Sequence, residues 1–441
     1  MSHATTFKAQ TPIRRYERWR FQIFAVTWIA YAGFYFTRQA FSVAKLGILE
    51  DPVLSMTLTK STMANLDAAY LAAYAVGQFV WGQVSDRYGP RVVVLGGLAI
   101  SAIATLFMGL LPALVFLLPL MIVQGLAQST GWSGTLNNMA QFFSIGERGR
   151  VLGLWSTNYA FGGLVAAPLL GWAAYTVFGS WRAAFFTGAA IVVGVFVVVL
   201  LFQRNRPQDV GLPPIEEYHA KEEIAKLDDS PVAEAVAEPT PSWRESLAVV
   251  LRDRMVRTLG ASYFLLKPAR YAILLWGPVI VAERLQDGDK FQAVTIPVAF
   301  GVAGILAPIL LGRVSDRVFK ARRIPACVLS LAVLVAVLAL FAPLTATGNA
   351  WIMTAVLGVI GLSIYGADAM ISCVAAVDFG TSKHAGTASG LINGCGSTGA
   401  ILGGLLPGYL STSALFYGFA AAAFVAMLLL IPHWNRMPAA D

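Results

Sequence analysis

GQVSDRYGPR, residues 82 to 91, returns as GRVSDRVFKAR, residues 312 to 322, at an offset of 230. A second pair, GRVLGLWSTNYAFGG at 149 to 163 and GTASGLINGCGSTGA at 386 to 400, matches in its glycines at an offset of 237. Self-similarity at so long a period means two copies of one large unit rather than a stack of short repeats. Both copies are intensely apolar. Of the 441 residues, 57% are hydrophobic and 13% charged, with mean hydropathy +0.66, whereas a soluble domain carries about a quarter charged residues. Apolar runs near the roughly 20 residues needed to cross a bilayer recur along the whole chain. The expected fold is therefore an all-α membrane protein of 12 transmembrane helices. Two six-helix bundles would be related by a pseudo-two-fold axis along the membrane normal, an arrangement used by carriers with a site at mid-membrane between the halves.

The expected organisation is a polar N-terminal segment, 1–20, then a first bundle over 21–202 whose first span covers 21–44. A linker over 203–257, rich in Glu, Asp, Ala and Pro, carries a short surface helix from Ile215 to Leu227. The second bundle covers 258–432 and a tail 433–441. The N-terminus lacks a short apolar region with a cleavage site, so no secretory signal is expected. Cys327, Cys373 and Cys395 all lie in apolar runs, which points to neither a disulfide framework nor a metal site.

The net charge of +8 is gathered in particular loops rather than in one stripe, so the partner it implies is a lipid bilayer and not nucleic acid. Arg14, Arg15, Arg18 and Arg20 precede the first span; Arg87 and Arg91, Arg148 and Arg150, Arg204 and Arg206, and Lys320, Arg322 and Arg323 follow even-numbered ones. The alternate loops are poor in such residues, apart from Lys45, Lys60, Arg182, Arg284 and Lys290. The positive-inside rule then places both termini in the cytoplasm, with a bacterial inner (plasma) membrane as the expected location.

Arg38 lies well inside the first apolar run, and the repeat logic gives it a counterpart: at an offset of 232 stands Arg270, in SYFLLKPARYAILLWGP. An intramembrane arginine costs at least a few kcal/mol unless it faces a wet cavity or a partner. Two guanidiniums meeting across a central cavity make a forked anion clamp, and phosphate suits bidentate arginine geometry best. Lys267 adds a third cation on the same helix face. No acid sits at an equivalent spacing to neutralise them; Asp67 and Asp368 are the candidate partners if the arginines are purely structural. Tyr31 and Tyr35 lie on the face of Arg38, and Tyr74, Trp132, Tyr159, Tyr365 and Asn393 are further polar or aromatic donors inside spans. No nucleophile–base constellation, metal-ligand cluster or nucleotide loop is present, so neither an enzyme nor a cofactor is expected.

The G-x-x-S-D-R loop and its echo resemble the loop that the major facilitator superfamily repeats in its two halves. There Asp86 and Asp316 would accept hydrogen bonds or cap a helix, Arg87, Arg91 and Arg317 would hold the cytoplasmic side, and Gly82 and Gly312 would permit close helix contact. YAGFYFTRQAFSVA, GLAQSTGW, ERGRVLGLWSTNYAFGG, RPQDVGL, ARYAILLWGP and IYGADAM narrow the match. Together they resemble the organophosphate:phosphate antiporter family, which includes glycerol-3-phosphate, hexose-phosphate and phosphoglycerate carriers. The resemblance implies that Arg38 and Arg270 bind the phosphoryl group, that Tyr31, Tyr35 and Trp132 line the site, and that a phosphate ester is imported in exchange for inorganic phosphate; a monomer is expected. Unliganded, the paired cations would repel and resist closure. Departures are Tyr159 where glycerol-phosphate carriers have histidine, Gln78 where they have lysine, and Lys267 where they have tyrosine. A hexose-phosphate receptor of the same build, or a carrier of another organic anion, are the competing readings.

Overall fold

The computed structural model describes residues 10–144, 151–215, 217, 243–285, 289–320, 322–371 and 385–435, and no strand occurs among them. The first half contains α1 (Gln10–Glu50), α2 (Lys60–Tyr88), α3 (Pro90–Leu110), α4 (Leu114–Phe142), α5 (Val151–Val177) and α6 (Arg182–Phe202). The second contains α7 (Arg254–Ala282), α8 (Lys290–Arg317), α9 (Arg323–Ala339), α10 (Ala350–Ala369), α11 (Ala385–Leu405) and α12 (Thr412–Leu430). Eight of these are individually long and apolar enough to cross a membrane. The other four are the charge-bearing α1 and α2, the short α9 and the glycine-rich α11.

Helix packing shows the repeat directly. Within the first half α2 packs on α4, α1 on α5 and α6, and α3 on α6; in the second α8 packs on α10, α7 on α11 and α12, and α9 on α12. Between the halves α2 packs on α11, α5 on α8 and α1 on α7. Exchanging each helix for its repeat partner returns the same set, as a two-fold axis between the halves requires.

α1 begins before the expected 21–44 span and outlasts it. Its first turns are helical because they have an apolar face to bury: Tyr16 is buried against Leu212 and Ile215, and Arg15 Nη2 donates to the Val210 carbonyl at 2.9 Å. The RPQDVGL segment that receives them is a 3-10 turn, Pro207–Val210, closed by Gly211 at φ +71°, a left-handed conformation that glycine adopts without strain. The surface helix expected from Ile215 to Leu227 falls almost wholly outside the described residues, as does Cys373.

In the signature loop Asp86 accepts from Asn137 Nδ2 at 2.6 Å, and Arg91 Nη2 donates to the Leu200 carbonyl at 2.5 Å, satisfying an orphan acceptor at the end of α6. In the echo Asp316 pairs with Arg323, while Arg317 is exposed. Arg87 lies 5.4 Å from the centre of the Tyr88 ring. The expectation that Gly82 and Gly312 mediate close helix contact is corrected: a side chain at either position would meet nothing within 4 Å. The same holds for Gly153 and Gly390, the repeat-related glycines near the starts of α5 and α11. All four lie toward the end of the molecule at which α1 begins.

The opposite end is closed. Lys60 at the start of α2 pairs with Glu283 after α7, and Lys290 at the start of α8 pairs with Glu50 at the end of α1, the latter at 2.5 Å. The two pairs are copies of each other. Glu50 and Glu283 are 233 residues apart and Lys60 and Lys290 are 230 apart, so each half lends one acid and one base. Lys60 and Lys290, exceptions to the loop-charge pattern, thus have partners across the halves. Nearby, the Asp51 carboxylate accepts N–H bonds from Val53 and Leu54, which hold its pKa below the usual carboxylate range.

Closer to mid-depth is a buried tie. Lys45, expected in a loop, is fully buried in α1 and pairs with Asp67 of α2. It also donates to the Leu275 carbonyl of α7 at 3.0 Å, and Ser42 donates to the same oxygen at 2.8 Å. Pro278 has no N–H to give to the Leu274 carbonyl one turn earlier, and the Ser42 hydroxyl lies 3.5 Å from that oxygen as well. Asp67→Asn strands a buried ammonium, a change that costs about 3–5 kcal/mol in comparable buried pairs. A lower melting temperature in detergent is expected, with recovery in the Lys45→Met/Asp67→Leu double variant. The peripheral pairs are partly exposed, and each is worth about 0.2–1 kcal/mol. Reversing Lys60 and Lys290 to Glu is expected to lengthen the distance between spin labels at Val53 and Gln292, and reversing Glu50 and Glu283 to Lys as well is expected to shorten it again.

Candidate functional site

Arg38 projects from the middle of α1 and is 8% exposed. Its Nε donates to Gln128 Oε1 at 3.0 Å. Gln128 in turn accepts from the Tyr70 hydroxyl at 2.6 Å and donates to Thr37 Oγ1 at 3.1 Å, so its amide is locked from both sides. The guanidinium lies 4.6 Å from the centre of the Tyr35 ring and 4.9 Å from that of Tyr74, both cation–π distances. Among the described residues no carboxylate pairs with it, and Nη2 is buried without a hydrogen-bond acceptor. Leaving such a group unmet costs roughly 1–3 kcal/mol, more when it is charged.

Across the interface, Arg270 on α7 has a carboxylate. Its Nη1 is 2.8 Å from Asp368 Oδ2 on α10, and Lys267 Nζ is 3.3 Å from Asp368 Oδ1. The expectation that nothing neutralises the arginines is therefore corrected for Arg270 and Lys267. The reason is tertiary: Asp368 lies 98 residues from Arg270 in sequence, and only the packing of α10 on α7 brings them together. Asp67, the other candidate, serves Lys45 instead. Arg270 also keeps one unmet group, since its Nε is buried without an acceptor.

A cavity of about 50 Å³ separates the halves at this depth, lined by Tyr35 and Gln39 of α1, Tyr159 of α5, Arg270 of α7 and Tyr365 of α10 among apolar neighbours. That volume holds a few waters. Arg270 lies 4.4 Å from the Tyr365 ring centre and 5.9 Å from that of Tyr159, so Tyr159 meets it from the opposite half. Arg38 is not among the lining residues itself but stacks on Tyr35, which is.

The remaining expected site residues are placed less centrally. Tyr31 reaches Tyr74 at 3.5 Å between hydroxyl oxygens and packs edge-on to Trp132, which packs on the buried Trp155. Trp132 belongs to this aromatic wall of the first half and does not line the cavity, and Asn393 is exposed on α11 away from it. Gln128, Tyr70 and Gln39 belong to the site and were not singled out from sequence. Gln128 stands within GLAQSTGW, and an amide fully buried in an apolar span was the available signal.

What this arrangement can do is hold an oxyanion between two bundles, each offering one guanidinium with an unmet N–H. Residues 27–403 match the family model described as Major Facilitator Superfamily. The chain is 31% identical over 434 residues to the glycerol-3-phosphate transporter of Bacillus subtilis (strain 168), covering 95% of this chain and 93% of the relative. It is 29% identical over 439 residues to the membrane sensor protein UhpC of Salmonella typhimurium, covering 96% and 93%. Its fold matches that of a bacterial homologue of the human lysosomal transporter Spinster with a TM-score of 0.70 at 13% identity, over 94% of this chain and 95% of that one. With two repeated six-helix halves around a central cationic site, this integral, multi-pass membrane protein belongs to the Major Facilitator Superfamily, a family of transporters rather than enzymes.

Proposed function

We propose that the chain is a secondary transporter that moves a phosphate ester of the sugar-phosphate or glycerol-phosphate class across the membrane in exchange for inorganic phosphate. One site between the halves would face each side in turn. The observation that carries the reading is Arg38: a buried guanidinium, held in place by Gln128, with no carboxylate partner among the described residues and one unmet N–H. A phosphoryl group supplies what it lacks, namely negative charge and several acceptor oxygens in a shape that fits the guanidinium fork. Arg270, which lines the cavity and has an unmet Nε of its own, supplies the second arm; Tyr35, Tyr159 and Tyr365 form the walls, and Tyr74 flanks Arg38.

Exchange rather than leak follows from the same charge. A ligand drives a conformational change only by binding the closing state better than the open one. Closing the halves over Arg38 buries an uncompensated cation unless an anion arrives with it. The expected repulsion between two bare guanidiniums is weaker than the sequence suggested, because Asp368 already compensates one cation; Arg38 carries the coupling.

Among the described residues, the arginine-rich segments lie at the end where α1 begins, so by the positive-inside rule that end faces the cytoplasm of a bacterial inner membrane. The two repeat-related ion pairs then close the outward side. Each half completes one side of the site, so a single copy, with bundles over 21–202 and 258–432 joined by the 203–257 linker, suffices for transport. A sensor reading draws on the UhpC likeness, since binding without flux needs the same site.

Reconstituted liposomes loaded with phosphate separate these readings: a transporter takes up labelled phosphate by counterflow, whereas a sensor binds it with little flux. Arg38→Lys keeps the charge and loses the fork. It is expected to lower kcat/KM for exchange about 10- to 100-fold, the worth of a charged hydrogen bond; unchanged exchange would refute the clamp. Gln128→Glu gives Arg38 the counter-charge it lacks, and is expected to abolish phosphate protection against thermal unfolding while leaving the unliganded melting temperature equal or higher.

A further inference from the structure

The cavity breaks the two-fold relation between the halves. Its lining comes from α1, α5, α7, α8 and α10; among the described residues α2 and α11, the repeat partners of α8 and α5, contribute nothing to it. It therefore lies on the α5–α8 side of the interface. The two seams, α5–α8 and α2–α11, are nevertheless copies in the same register. A side chain at Gly171 of α5 would meet Val294 of α8, and one at Gly408, just after α11, would meet Ala64 of α2. These positions correspond at the repeat offsets of 237 and 230.

The same offsets show where the seams differ. Gly163 of α5 and Gly301 of α8 both line the cavity, and their counterparts in the other seam are Ala400 and Leu71, both buried. Leu71 fills its place closely: a side chain at Gly404 of α11 would come within 3.0 Å of its Cδ1. Packing does not demand glycine at 163 or 301. A Cβ at Gly163 would stand 3.7 Å from the Tyr35 ring and one at Gly301 3.7 Å from Leu164, ordinary van der Waals distances, whereas at the neighbouring Gly162 it would press on the Ala32 carbonyl at 2.9 Å. Glycine inside a helix is destabilising relative to alanine. At a cavity wall, a glycine that no neighbour requires keeps room for a ligand. Gln39 adds a polar signal: it lines the cavity, is 2% exposed, and its amide has no hydrogen-bond partner among the described residues.

We propose that Gly163 and Gly301 are specificity-determining residues. The room they leave between α5 and α8 receives the organic part of the ester while the phosphoryl group meets the arginines, and Gln39 hydrogen-bonds a hydroxyl of that organic part. Arg270 and Tyr159 supply the charged and aromatic lining, and Ala160, Ala167 and Val298 give the α5–α8 side an apolar surface. The ester is thereby oriented with its organic end to one side, a choice that two arginines at repeat-related positions do not make. Inorganic phosphate has no organic part, so it engages the arginines and not this subsite. The proposal rests on the phosphate-ester reading above.

Phosphate counterflow in liposomes, with glycerol phosphate and glucose phosphate as competitors, gives each ester's inhibition constant relative to that of unlabelled inorganic phosphate. Gly163→Ala and Gly301→Ala are expected to raise this ratio, and Gly301→Val to raise it on the order of tenfold. The rise is expected to be greater for glucose phosphate, the larger ester. Gln39→Leu is expected to raise the ratio for both esters. Leu71→Ala, at the counterpart of Gly301 in the filled seam, is expected to leave the ratio at the wild-type value, which separates a subsite from a general loosening between the halves. The alanine variants at the two glycines, with melting temperatures expected to equal or exceed the wild-type value, decide the question if Gly301→Val does not fold. Ratios unmoved by the glycine variants, or moved as far by Leu71→Ala, overturn the inference and leave the phosphate-ester reading standing. If neither ester competes with phosphate in the wild-type protein, both fall.

Discussion

A guanidinium held in the middle of a membrane by an amide instead of a carboxylate is the constraint around which this protein is organised. Gln128 fixes the direction of Arg38 through one hydrogen bond and is itself fixed by Tyr70 and Thr37. The amide orients the cation without discharging it. Tyrosine faces on two sides give the charge a partial, non-directional partner, enough to make burial tolerable and too little to satisfy its remaining N–H. Such a site is pre-organised for an anion that arrives from outside, because the protein has kept an obligation unmet.

The second half handles the equivalent arginine differently. Arg270 shares Asp368 with Lys267, so the two-fold relation between the backbones is not a two-fold relation between the charges. A symmetric scaffold brings the two arginines to comparable depth, and the asymmetry of their surroundings then divides the work. One cation is left bare, and the other is tuned by an ion pair.

Closure of one end uses the repeat a second time. The Glu50–Lys290 and Lys60–Glu283 pairs are one device used twice, with acid and base exchanged between halves. These are partly exposed pairs of small individual worth, a scale suited to an interface that has to part. The Lys45 tie to the Leu275 carbonyl lies deeper, where Lys45 is fully buried and paired with Asp67.

The number of helices, their two-fold repetition and the depth of Arg38 and Arg270 were legible in the sequence, because each depends on spacing along the chain: a span length, an offset of 230 to 237, an arginine within an apolar run. The loop role given to Lys45 and the contact role given to Gly82 misread the same information. A lysine near the end of an apolar run looks identical whether it meets water or a buried aspartate, and a small residue does not reveal what stands opposite it. Gln128 was passed over for the same reason, since an amide inside a span has no partner until α4 is placed against α1. Which cation receives a carboxylate was decided only in three dimensions. Asp67 and Asp368 were equally eligible along the chain, and the tertiary arrangement sent one to Lys45 and the other to Arg270 and Lys267, because electrostatic pairing acts over a few ångströms of space and not over residues of sequence.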